Sequence, residues 1–235
     1  MKTVARLFIF IFLSTIFVEA RAGNPNPGVL PPKSTPFGKT YGVWAGEFNN
    51  WVWHFPAAES PFFAGNDGSK CGQGQKGKVW FLAGTLDPFG TVVRDGCIIP
   101  AGKALFFSIY STVSFVPFFG NNEEEVRADA ARDVALNTTI SVVVDGVPLN
   151  NLSTYRASSP VGGFVLSAPE GSLLADFVGA GDYDPAVADG YWIMLAPLSI
   201  GAHIIQISAS GSFQDGSEYS YDVTYNLTVV NKKEQ

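Results

Sequence analysis

The sequence predicts an all-β protein, a two-sheet antiparallel β-sandwich of jelly-roll type with one short helix near residues 122–136. Three observations predict it. From Tyr41 to Val230, short runs of β-branched and aromatic residues alternate with clusters of Gly, Pro, Asn and Asp, the punctuation of many short strands. In the last run, Tyr221, Val223, Tyr225, Leu227 and Val229 alternate with Asp222, Thr224, Asn226 and Thr228. A period of two puts one face on a core and the other in water, as antiparallel sheets allow. Asp145-Gly146 then separates two apolar runs, and both residue types tolerate the positive φ of a tight hairpin.

The predicted strands, in order, are 43–48, 51–55, 79–85, 91–94, 104–108, 112–116, 139–144, 164–167, 191–196, 203–209 and 219–230. The helix is read from its own signals. Asn121 or Asn122 caps it, and Glu123, Glu124 and Glu125 occupy the first turn, where the backbone dipole favours negative charge. Val126, Ala130 and Val134 share one face, Glu123 and Arg127 are spaced to pair, and Asn137 ends it. The glutamate run is a helix start on this reading and a metal site on the alternative. The helix is expected across one end or edge of the sheets. An immunoglobulin sandwich fits less well, although Trp80 lies between two cysteines 26 residues apart, because the domain is long and the helix is extra.

Residues 1–22 read as a signal peptide. Lys2 and Arg6 precede the apolar run Leu7–Val18, and Ala20-Arg21-Ala22 offers small residues for cleavage after Ala22. The run is shorter than the ~20 apolar residues of a membrane span. The mature chain is therefore expected to be secreted or periplasmic, with no membrane span. Residues 23–40 are rich in Pro, Gly and Asn and read as a linker or a strap on the domain, 41–230 as one β-sandwich domain, and 231–235 as a polar tail. Without residues 1–22 the chain carries 12 basic and 20 acidic residues, a net charge of −8. This disfavours nucleic acid and anionic lipid as partners. In an exported chain Cys71 and Cys97 are expected to pair; the alternative is two buried thiols.

Several phrases, CGQGQKGKVWFLAGT (71–85), CIIPAGKALFF (97–107), VVVDGVPLNNLSTYRASSP (142–160), DGYWIMLAPLSIGAHIIQIS (189–208) and DVTYNLTV (222–229), together resemble a family of exported bacterial β-rich proteins of unknown function. The resemblance spans roughly residues 41–230. It implies a single exported β-rich domain and brings no activity, cofactor or catalytic residue. Ser108 stands where the family pattern has a proline after ALFF.

The densest aromatic stretch is WVWHFPAAESPFF, residues 51–63. As a strand it would place Trp51 and Trp53 on one face, with Trp44 one strand earlier. Such indoles stack on sugar rings, or they fill a sandwich core. His54 and Glu59 are the weak candidates for a general base and acid; the plainer reading of His54 is a hydrogen-bonded structural residue. His203 is expected on an inward register, satisfied by a backbone carbonyl. GDYDPAVADG (181–190) places Asp182, Asp184 and Asp189 on an expected loop, where carboxylates suit a structural Ca²⁺; otherwise it is a solvated acidic turn. The segment CGQGQKGK (71–78) lacks the ending of a phosphate loop and reads as a rigid hairpin loop or a polar ligand contact. Sequons occur at Asn137, Asn151 and Asn226. No Ser-His-Asp order, zincin helix or Gly-x-Ser-x-Gly elbow is present.

The expected function is thus a non-catalytic binding protein, with Trp44, Trp51 and Trp53 contacting an unidentified ligand such as a glycan. The alternatives are a polysaccharide hydrolase or lyase using His54 with Glu59 or Glu47, and a structural surface component.

Overall fold

A computed structural model of the chain describes Asn26 and residues 28–63, 67–136 and 138–231. The predicted signal segment, Asn137 and most of the polar tail lie outside the described residues.

Among the described residues ten strands form two five-stranded sheets. They are β1 (Val79–Leu82), β2 (Thr91–Pro100), β3 (Ala104–Phe115), β4 (Thr139–Val144), β5 (Val147–Pro148), β6 (Arg156–Ser158), β7 (Phe164–Ala168), β8 (Gly181–Leu195), β9 (Gly201–Ser212) and β10 (Glu218–Val230). The first sheet runs β1-β3-β8-β6, with β7 also on β8; the second runs β2-β10-β9-β4-β5. The β-rich, two-sheet expectation holds. The wholly antiparallel one does not, because β1 pairs parallel with β3 and β2 pairs parallel with β10. The chain leaves β1 for the second sheet, builds β2 there, and returns as β3 in its original direction.

The centre of the first sheet, in β1, β3 and the second half of β8, is buried on both faces. Leu82, Leu105 and Ile193 join Ile99, Ile207, Val223 and Leu227 of the second sheet in one continuous core cluster. Side chains alternate along a strand, so Phe106 and Trp192 take other faces than their neighbours. Both meet a helix, α1 (Tyr41–Val52), through Phe48, with ring centroids 6.4 and 5.4 Å away. A second helix, α2 (Glu123–Val134), also packs on β3 and β8. Double burial explains runs such as ALFF and YWIML, which show no alternation because neither face is wet.

Helix α1 replaces the two strands expected at 43–48 and 51–55. Thr40 caps it, its side chain accepting from the Val43 amide at 3.3 Å. Tyr41, Trp44, Ala45, Phe48 and Val52 recur with helical spacing and are all buried. Gly42 permits the docking: a Cβ there would lie 2.0 Å from the Ser158 carbonyl oxygen. Further differences are β8, continuous through the expected 181–190 loop; β3, one strand instead of two; and a short unexpected helix, α3 (Leu173–Val178), capped by Ser172.

Helix α2 forms where its signals place it. The Asn122 side chain accepts from the Glu125 amide at 3.0 Å and donates to the Glu125 carboxylate at 2.9 Å, a reciprocal cap. Val126, Ala130 and Val134 are buried, and Arg127 pairs with Glu123 at 2.6 Å. Asp145 and Gly146 turn β4 into β5 with φ of 50° and 79°. The Pro/Gly-rich segment lies along the domain: Val29 bridges Leu195, and the Leu30 amide donates to Met194 O at 2.8 Å.

Two internal ties cross the layers. Cys71 and Cys97 form a disulfide. The wholly buried Arg94 of β2 reaches across to the chain after β1, donating to Ala83 O (2.6 Å), Gly84 O (2.8 Å) and the Tyr225 hydroxyl (2.7 Å).

Candidate functional site

Trp44, Glu47, Trp51 and His54 follow one another at steps of three, four and three residues, the spacing of a single edge of a helix. On α1 and its continuation they line one side of an open groove of about 430 Å³. Val79 and Phe81 of β1 line it too, as do Gly74 and Lys76 from the stapled loop.

Most of the indole surface serves packing: Trp44 and Trp51 are each 8% exposed. Their N–H groups are also committed, Trp44 Nε1 to Pro36 O at 3.0 Å and Trp51 Nε1 to Gln73 O at 2.8 Å. The groove therefore receives ring carbon, not donors. Trp51 packs tilted on Phe81 at 5.5 Å and edge-on to Phe55 at 6.3 Å, giving an aromatic floor. Lys39 lies over the Trp44 ring at 4.6 Å and pairs with Glu47. His54 is exposed and meets Phe55 edge-on at 5.8 Å.

The loop wall is rigid for local reasons. Cys71 anchors it to β2. The Gln75 amide donates to Cys71 O (3.0 Å) and Phe81 O (2.8 Å) and accepts from the Phe81 N–H at 2.9 Å, so one side chain splices the loop onto β1. Gly74 has φ +63° and crosses close above the ring of Phe55, where a Cβ would come within 2.6 Å.

Of the residues singled out in the sequence, the structure gathers Trp44, Trp51 and His54. It does not bring Trp53 or Glu59 to this groove. Two residues of helix turn the side chain by about 200°, so Trp53 points away from Trp51 and packs on Phe62 (5.2 Å) and Phe177 (6.2 Å). Glu59 accepts from Gln73 Nε2 at 2.7 Å and braces the loop from outside. Phe55 and Lys76 lie inside the stretches singled out at 51–63 and 71–78 but had no role of their own there, and Phe81 was read only as strand. The signal that would have found the first of them is the helical stripe, lost when the segment is read as strand.

The aspartate cluster expected to hold calcium is not a cluster. Asp182, Asp184 and Asp189 lie within β8. Seven residues of extended chain separate Asp182 from Asp189 by roughly 23 Å. Asp182 accepts from Ser167 Oγ, and Asp189 is ion-paired with Arg156. Among the described residues no group of three or more His, Cys, Asp or Glu is placed to hold a metal.

His203 sits at a strand end. Its Nε2 meets Ser199 O at 2.9 Å and its Nδ1 meets Asp145 at 2.7 Å. Partial burial works against the charged ring, but the bonds to Asp145 and Ser199 outweigh it and hold the pKa above the usual histidine value.

Among the described residues no helix is long and apolar enough to cross a membrane. Comparison with family models, with curated proteins and with solved structures finds no match to the chain.

Proposed function

We propose that this chain is an exported, non-catalytic binding protein that takes a segment of glycan in the groove between α1 and β1. The observation that carries this reading is the pairing of an aromatic floor, Trp51, Phe55 and Phe81, with a polar rim of half-buried Glu47 and exposed His54 and Lys76. Sugar rings offer both a C–H face for such a floor and hydroxyls for such a rim. The disulfide supports export, since such bonds persist in oxidising compartments. A glycan array probed with the wild type, followed by the exposed double variant His54→Ala, Lys76→Ala, tests the reading. Binding lost in the variant with an unchanged melting temperature is the expected result. A wild type that binds no glycan overturns it.

A second reading, a polysaccharide hydrolase or lyase, is supported by His54 and Glu47 lining the same groove. It uses His54 as general base with Glu47 beside it, and not Glu59. Turnover unchanged in His54→Ala, on any polysaccharide the protein degrades, removes this reading.

A further inference from the structure

On the other side of α1 lies a smaller cavity of about 210 Å³, which shares no lining residue with the groove. Its apolar walls are Phe48, Trp53, Phe62, Leu86 and Val113, and Tyr221 of β10 closes one side. Among the described residues no charged side chain lines it.

Its polar surface arises from a fault in β3. The register with β8 passes from Ser108↔Trp192 to Tyr110↔Tyr191, so Ile109 is an extra residue, a β-bulge. In a regular strand, residues three apart point to opposite faces. Across the bulge Ser108 and Ser111 meet instead, their hydroxyls 2.9 Å apart. The bulge is held open by Tyr221, whose hydroxyl donates to Ile109 O at 2.6 Å. Gly190 admits it from β8, since a Cβ there would lie 2.4 Å from Ser111 Cβ.

Asn49, only 5% exposed, lines the same cavity. Its Nδ2 donates back to Ala45 O at 2.8 Å, while its Oδ1 has no hydrogen-bond partner among the described residues. That oxygen is not sealed in protein: it opens into the cavity, where it can accept a hydrogen bond from an occupant. Thr85 adds a further hydroxyl on the loop after β1.

We infer that this cavity is a binding site for one small uncharged polyhydroxylated molecule, a single sugar ring. Walls of hydroxyl, amide and aromatic groups suit a neutral ligand with hydroxyls and a C–H face. Asn49 Oδ1 accepts from a ligand hydroxyl, and the Ser108–Ser111 pair offers both donor and acceptor. The size matches one ring and not a chain, in contrast to the open groove.

The test is saturation-transfer NMR on the full chain with free glucose, galactose, mannose and N-acetylglucosamine, each at millimolar concentration. Saturation transfer to at least one sugar is expected. It weakens roughly tenfold or more in Asn49→Leu and in Ser111→Ala, with both variants shown folded by thermal melts. Neither position lines the groove, so binding that persists unchanged in both places the sugar elsewhere and overturns the proposal. No transfer to any of the four sugars overturns it as well.

Discussion

Arg156 and Asp189 meet in a two-pronged ion pair, Nε to Oδ1 and Nη2 to Oδ2, both at 3.0 Å. The same Nη2 donates to Ala131 O of α2 at 2.9 Å, so a single guanidinium ties β6, β8 and the helix. The Asp189 side chain is 7% exposed and the Arg156 side chain 32%. Removing the acid strands a half-buried cation. Asp189→Ala is expected to destabilise by about 3 kcal/mol, read as a lower denaturation midpoint. With Asp189 and Asp182 already partnered, a chelator is expected to leave the wild-type melting temperature unchanged.

Phe48 is the pivot of α1. It is 2% exposed and touches Phe81, Phe106 and Trp192 edge-on. Phe48→Ala empties that contact and is expected to cost about 3–5 kcal/mol. Urea unfolding, with near-ultraviolet circular dichroism reporting the packed indoles, measures it.

Arg94 is a cation wholly enclosed without a carboxylate; its charge is dispersed over two carbonyls and a phenol. Arg94→Ala removes the donor to Gly84 O and one of the two donors to Ala83 O, which keeps the Tyr225 hydroxyl at 2.9 Å, and empties a buried volume, with an expected loss of about 2 kcal/mol. Arg94→Lys does not rescue it fully, because one ammonium cannot span the fork. Equilibrium denaturation of both variants is the check.

The Cys71–Cys97 bond closes a loop of 26 residues. On the chain-entropy account the double variant Cys71→Ser, Cys97→Ser loses roughly 3–4 kcal/mol. It also frees the loop bearing Gln73, Gly74 and Lys76, so any ligand of the outer groove is expected to bind more weakly in it. Calorimetric melts and titrations separate the two effects.

The His203–Asp145 pair makes stability depend on pH in both directions. His203 has a raised pKa, so its contribution is full below the unfolded value and is lost as pH rises through the folded one. For Asp145, burial opposes ionisation, but His203 and the Ile204 amide prevail and lower its pKa. Its contribution is present above the unfolded carboxylate value and lost as pH falls through the folded one. The stability difference between wild type and His203→Gln is therefore expected to peak in mildly acidic solution and fade toward alkaline pH, as followed by melting temperature across a buffer series.

How far the sequence reveals this molecule depends on whether each element stands alone or is overruled by its neighbours. Helix α2, with an asparagine cap and one apolar face toward protein, is legible in kind and place, though it ends at Val134 and not at 136. So is β10, wet on one side, and so is the Asp145-Gly146 turn. Helix α1 was hidden because Tyr, Val, Trp and Phe are strand formers by local preference, and only burial against Phe106 and Trp192 makes them helical. The Asp182–Asp189 stretch looked like a loop because of its glycines, proline and acids, yet Asp189 is paid for by Arg156, which lies 33 positions away. In the candidate groove, Trp44, Trp51 and His54 were visible by composition. Trp53 was misassigned with them because a period of two was applied where 3.6 governs, and the β3 bulge that joins Ser108 to Ser111 has no local signature.

Sheet order carries one more consequence. Among the described residues strand β2 pairs only with β10, Val92 beside Val223 and Ile99 beside Val229, so an early strand waits for one far downstream. During synthesis β2 has no described sheet partner until β10 emerges, and pairing across such a distance is slow. A chain cut short before Glu218 would keep β2 as a bare edge, a target for quality-control proteases or for self-association.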